Sequence, residues 1–333
     1  MVLFLVEAVA ATSWPDCTAE TGSNFGPYAV IVENNKRLAG NISFPTYRPA
    51  NLTAASDWPA FVFMHGSGCD DRFMSLSFER WASHGFIVVT PFMGTEYECK
   101  NPLEDGLCSD KSSDGSPILE GISWLKKQNN NPSSSLYQHV DTENIAVGGW
   151  SMGGVVAIKA VANLPPDSVR AVVLDSPSVI ACGFLYNYSQ KVIAHDYAVG
   201  RNRTRGVGGA PWFMYACTND FLHQPTLHLL ETAGSNSTSA YAQYKTRYCR
   251  DRPPYLNDSI WELVWETGDL DDVKGHFSGA GTLLMTAWTT TFLKLTLQQQ
   301  SATSSTCHAM FWGDGHDSIV NDARMDAVKR VTA

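Results

Sequence analysis

Ile145-Ala146-Val147-Gly148-Gly149-Trp150-Ser151-Met152-Gly153-Gly154-Val155-Val156-Ala157-Ile158 is the stretch that decides the fold of this 333-residue chain. Its first three residues form a small, β-branched apolar run of the kind found in strands buried on both faces. Its last four continue as a helix. Between them lies G-x-S-x-G, which in a strand–turn–helix context sets a serine on a sharp, strained turn. Such a turn leaves no room for bulk two positions to either side of the serine, and Gly149 and Gly153 supply that. The helix then offers backbone N–H groups and a partial positive charge to a developing oxyanion. A nucleotide-binding turn would need G-x-G-x-x-G or a Walker lysine, and this segment has neither.

The same alternation extends outward. Ala60 to Met64, Phe86 to Thr90, Ala171 to Leu174, Trp212 to Ala216 and Ile260 to Trp265 read as further strands. Phe73 to Ser83, Pro117 to Gln128, Met152 to Asn163 and Thr282 to Leu297 read as helices; Pro117 suits a first helical position, and Ile118, Ile122 and Leu125 share one face. The expectation is an α/β-hydrolase fold: a mostly parallel central sheet flanked by helices, with inserted loops near the active site. Residues 18–300 are read as one catalytic domain, 1–17 as the remnant of a signal peptide and 301–333 as a tail packed on the same domain.

A serine hydroxyl needs a base to remove its proton, and that base needs an orienting carboxylate. In this fold the chain order is serine, acid, histidine. Asp220, just past the strand Trp212 to Ala216, is the expected acid, with Asp175 as its rival on the preceding strand. His276, before the last long helix, is the expected base. His316 competes but lies in the tail, beyond the point where the core should be complete. The loop His65-Gly66-Ser67-Gly68 follows an earlier strand, so the amides of Ser67 and Met152 are the candidate oxyanion donors. His65 is read as bracing that loop. Asp314, His316 and Asp317 form an ordinary turn, and no metal site is expected.

Three segments carry a family resemblance. They are Phe61 to Gly66, the run Trp81-Ala82-Ser83-His84-Gly85-Phe86, and the elbow Val147 to Gly154. Together they resemble the bacterial cutinase and polyester-hydrolase family, which includes poly(ethylene terephthalate) hydrolases, over roughly residues 25–297. The resemblance implies secreted carboxylic ester hydrolysis with no cofactor. It also implies the triad Ser151, Asp220 and His276, oxyanion amides at Ser67 and Met152, and an acyl groove lined by Trp150, Leu222 and Phe277. Ser67 stands where the family places an aromatic clamp. The stretches from Pro177 to Ala210 and from Asp220 to His276 are longer than the family's. With serine at position 278, Cys217 needs a partner such as Cys249. Chlorophyllases share the His-Gly loop and the "Ala-Ser-His-Gly-Phe" run but carry a basic residue where this chain has Met152. An acyltransferase with the same triad, or a non-catalytic binding protein of the same fold, are the remaining alternatives.

Composition narrows partners and compartment. Lys plus Arg number 24 against 33 Asp plus Glu, a net charge of −9, which disfavours nucleic acid and anionic membrane surfaces. No apolar run approaches the roughly 18 to 20 residues of a transmembrane helix. The expected partner is a hydrophobic ester, bound by a monomer. Eight cysteines fit disulfides in an oxidising compartment, and Cys99 with Cys108 bracket a short turn-rich loop. Asn41, Asn51, Asn187, Asn202, Asn236 and Asn257 each begin a glycosylation sequon. A secreted glycoprotein is the expectation.

Overall fold

Apolar residues alternate along each central strand, and the computed structural model turns that alternation into two cores. It describes residues 16–18, 21, 24–33, 43–54, 57–66, 74–92, 115–177, 195–200, 212–217, 239–244, 283–298, 306–313, 315–316, 318–322 and 325–331. Among the described residues nine strands form one sheet: β1 (Val30–Glu33), β2 (Thr46–Pro49), β3 (Trp58–Met64), β4 (Ile87–Val89), β5 (Val140–Trp150), β6 (Ala171–Asp175), β7 (Trp212–Cys217), β8 (Ser239–Tyr244) and β9 (Met325–Val331). Their spatial order is β1-β2-β4-β3-β5-β6-β7-β8-β9. From β4 through β8 every neighbouring pair is parallel, while β2 runs against both its neighbours and β9 against β8. The mostly parallel α/β architecture expected from the sequence is therefore the one observed.

On one face, Ala60, Val62, Met64, Val147, Val172, Leu174 and Met214 are buried against α2 (Ser116–Asn129) and α3 (Met152–Asn163). On the other, Phe61, Phe63, Val173, Phe213 and Tyr215 pack against α1 (Ser75–Ser83), α4 (Leu283–Leu293) and α5 (Thr306–Trp312). Helices on both faces are what a parallel sheet requires. The second face is aromatic. Phe61, Phe63, Phe78 and Trp81 lie with ring centroids 5.0–5.8 Å apart, tilted or edge-on. That geometry adds about 0.5–1.5 kcal/mol per pair beyond area burial.

Several boundaries differ from expectation. The segment Phe86 to Thr90 contributes only Ile87–Val89, and β5 begins five residues before Ile145. Beyond β7 the sheet continues with β8, a strand absent from the expectation, and Ile260 to Trp265 lies outside the described residues. The helix from Thr282 begins at Leu283 and passes at Leu293 into a π-helical turn over Lys294–Gln298. The tail is also no mere appendage to a completed core. Phe311 is fully buried between Phe213 and Phe292, and β9 extends the sheet. Cys17 and Cys307 form a disulfide across 290 residues, so the folded unit takes in Cys17, the last residue of the span read as a leader. Cys99, Cys108 and Cys249 lie outside the described residues.

Candidate active site

Four parallel strands end side by side. Met64 pairs with Gly149, Trp150 with Asp175, and Asp175 with Tyr215, so the carboxyl ends of β3, β5, β6 and β7 share one rim. Ser151 stands on that rim, between the last residue of β5 and the first of α3. Its backbone is at φ 55°, ψ −120°, a conformation that costs a residue with a side chain on the order of 1–3 kcal/mol. The surroundings over-determine it. The Ser151 N–H donates to the Asp175 carbonyl at 2.9 Å, and the Gly154 N–H donates back to the Ser151 carbonyl at 3.1 Å.

The elbow glycines are required by close approach. A Cβ on Gly149 would be driven into the Gly153 carbonyl, and a Cβ on Gly153 into the Met64 carbonyl oxygen. The exit of β3 is thus packed onto the first turn of α3. Gly66, two residues past β3, continues that contact: a Cβ there would lie 2.6 Å from the Trp150 ring and 3.0 Å from the Ser151 Cβ. The loop expected to supply an oxyanion donor therefore begins directly beside the serine. His65 is buried, and its Nδ1–H donates to the Gly66 carbonyl at 2.8 Å, so the ring ties down its own loop.

Met152 is buried and opens α3, which sets its amide at the positive end of that helix, one residue from the nucleophile. Trp150 is fully buried in the aromatic face beneath Gly66, a floor under the elbow instead of an open wall. Asp175 is 2% exposed at the end of β6 and supports Ser151 through its backbone carbonyl. Behind it, Ser176 adopts φ 40° and donates its N–H to the Tyr215 carbonyl at 2.8 Å. Pro177 then closes on the elbow, because a Cβ on Gly154 would meet its Cβ at 2.9 Å. This bracing by the β6 exit was missed in the sequence; Ser176-Pro177 after a strand end was the only signal for it.

Asp220 follows the end of β7 by three residues in the sequence. Asp220, Leu222, His276, Phe277 and Ser67 themselves lie outside the described residues. His316, the competing base, is exposed on a turn between α5 and β9. Among the described residues, Asp16, Cys17 and Cys307 bring three residues of metal-ligating kinds together, but both sulfurs are spent in the disulfide.

No curated protein matches the chain. The family model described as PETase, PET hydrolase-like, matches residues 11–184, just over half of the sequence. That span contains β3 with its His65-Gly66 exit, the Trp81 to Phe86 run and the whole elbow around Ser151. It stops short of Asp220 and His276. With a strained serine on the carboxyl rim of a mostly parallel sheet, and that match across it, the chain belongs to the PET hydrolase-like family of ester hydrolases.

Proposed function

We propose that the chain is a serine carboxylic ester hydrolase that cleaves hydrophobic esters, polyesters among them, through an acyl-enzyme. The observation that carries this reading is the positive φ of Ser151 between β5 and α3, backed by the hydrogen bond from its N–H to Asp175. Ser151 attacks the ester carbonyl while His276 takes its proton; Asp220 fixes the imidazole tautomer and offsets the charge that forms. The amides of Ser67 and Met152 bind the tetrahedral oxyanion, and His276 returns the proton to the departing alcohol. Water then repeats the sequence on the acyl-enzyme and frees the acid. Leu222 and Phe277 form the walls of the acyl groove over Trp150.

Asp220 is favoured over Asp175 because it follows the carboxyl end of β7, one strand beyond the β6 that carries Asp175, in the chain order serine, acid, histidine. One catalytic domain carries the reaction as a monomer without cofactor, and the tail is part of it, as the pairing of β9 with β8 supports. The Cys17–Cys307 disulfide supports secretion, because such bonds persist in oxidising compartments.

Hydrolysis of a p-nitrophenyl ester series, acetyl to palmitoyl, tests the reading. Ser151→Ala and His276→Ala should each lose on the order of 10⁶ in turnover, as for triad members acting as a unit. Asp220→Ala should be severely impaired and Asp175→Ala much less so. The reverse ranking would move the acid to β6. Activity that survives in folded Ser151→Ala would sink the mechanism.

A further inference from the structure

Of the six sequons, Asn51-Leu52-Thr53 lies wholly within the described residues and in a defined geometry. Leu52 is buried in the core, and the Trp58 indole N–H donates to its carbonyl at 2.8 Å. That anchor turns the residues on either side outward, and Asn51 and Thr53 are both exposed. Within the sequon, the Asn51 Oδ1 accepts the Thr53 N–H at 3.1 Å and the Thr53 hydroxyl at 2.7 Å. Both bonds use the oxygen of the amide. Its Nδ2 makes no hydrogen bond to any described residue, and it is the atom a glycan would occupy.

The position in the sheet is equally specific. β2 runs against β4, with Thr46 opposite Val89 and Tyr47 opposite Val88, so the chain leaves β2 at the amino end of the parallel strands. Trp58, which holds Leu52, is the first residue of β3. Ser151 stands at the opposite end, past the carboxyl terminus of β5. The seven residues of β3 separate the two rims, roughly 20 Å at about 3.3 Å per residue.

We propose that Asn51 is an N-glycosylation site, facing away from the catalytic rim. This rests on the proposed passage of the chain through the secretory pathway. The Asn51 Nδ2 forms a bond to the anomeric carbon of an oligosaccharide carried on a polyprenyl diphosphate. The sugar–phosphate bond breaks, the lipid diphosphate leaves with its electron pair, and the amide gives up one proton. The buried Leu52 then holds the base of the glycan rigidly at the surface. Because Ala50 donates its N–H to the Ala29 carbonyl, the glycan also sits beside β1, where Ile31 and Val32 are exposed. Among the described residues β1 is an outermost strand, and sugar at that place shields its end from pairing with another chain.

The test is secretion of the full chain from a eukaryotic host behind a supplied leader, followed by enzymatic deglycosylation in heavy-oxygen water and peptide mass spectrometry. The Asn51 peptide should carry the heavy-oxygen aspartate mark in most molecules. Thr53→Ala should abolish the mark and Thr53→Ser should keep it. Ester hydrolysis by the glycosylated protein and by Asn51→Gln should agree within about twofold, as for a surface change remote from the site. An unmarked Asn51 peptide in secreted protein, alongside a marked control glycoprotein, would overturn the proposal. So would a mark that survives Thr53→Ala, or hydrolysis suppressed tenfold or more by the Asn51 glycan. The redox state of Cys17 and Cys307 in protein taken from its natural source tests the secretory reading separately: reduced thiols there, with a marked peptide from the supplied leader, would refute that reading and leave the acceptor site standing.

Discussion

Ser151 holds a backbone conformation that only its neighbours make tolerable, and this separates two properties that mutation usually confounds. Ser151→Ala removes the hydroxyl but keeps a Cβ at φ 55°. Ser151→Gly removes both, and glycine populates positive φ readily. Both variants should be inactive, yet Ser151→Gly should be the more stable by about 1 kcal/mol after allowance for its greater unfolded-state entropy. Denaturant unfolding of the pair would measure this; equal midpoints would mean that the elbow stores no strain. The nucleophile was legible in the sequence because this geometry forces small residues at Gly149 and Gly153, and G-x-S-x-G is the imprint. The support from β6 was not legible, since the Asp175 carbonyl could have come from any residue type. Nor did the sequence distinguish a groove-lining Trp150 from one buried in the core.

The junction of α1 with β4 explains the Trp81 to Phe86 run at the scale of an element. Trp81 fills the aromatic core, and the Ser83 hydroxyl accepts the Gly26 N–H at 2.8 Å. The His84 Nε2–H reaches the Asn24 carbonyl at 3.2 Å, and Gly85 takes φ 95° to end the helix. His84 is the point at which this device yields to acid. Burial pushes its pKa from 6.5 down to about 4, the Asn24 bond opposes that, and Lys294 and Arg80 add repulsion. Between pH 6.5 and 4 the unfolded chain binds a proton that the folded chain refuses, so stability falls as pH falls through that window. The loss should be about 3 kcal/mol, and His84→Gln should lack it. Unfolding free energies of both proteins across pH 4 to 7 would check the slope; parallel curves would refute the assignment. Strand legibility followed composition. The runs at β3, β6 and β7 are continuous and apolar, and they were found. Ser239-Ala-Tyr-Ala-Gln-Tyr244 alternates small or polar residues with tyrosines, so β8 lacks the continuous apolar run that marks the others. In Met325–Val331, charged Asp326, Lys329 and Arg330 hid β9 in the same way.

At the scale of the whole molecule, the tail completes the second core and is fastened to the N-terminal segment. The Asp16 carboxylate accepts the N–H of Cys17 at 2.8 Å, of Thr306 at 3.0 Å and of Cys307 at 3.3 Å, next to the Cys17–Cys307 bond. Sequence could not disclose this pair, because eight cysteines admit 105 pairings and these two are the farthest apart of all. A crosslink spanning 290 residues contributes about 6 kcal/mol in the chain-entropy model. Cys17→Ser with Cys307→Ser should accordingly lower Tm by about 10 °C while leaving ester hydrolysis at 25 °C within about twofold. An unchanged Tm would show that Asp16 and the buried face of α5 suffice without the covalent bond.

The same bond makes the polypeptide between Cys17 and Cys307 a closed ring. A single protease cut anywhere within it opens the ring without dividing the molecule. Such a clipped enzyme should migrate as one species on a non-reducing gel and as two after reduction. The clipped molecule would then outlive its first cut, its two pieces still tethered at the start of α5.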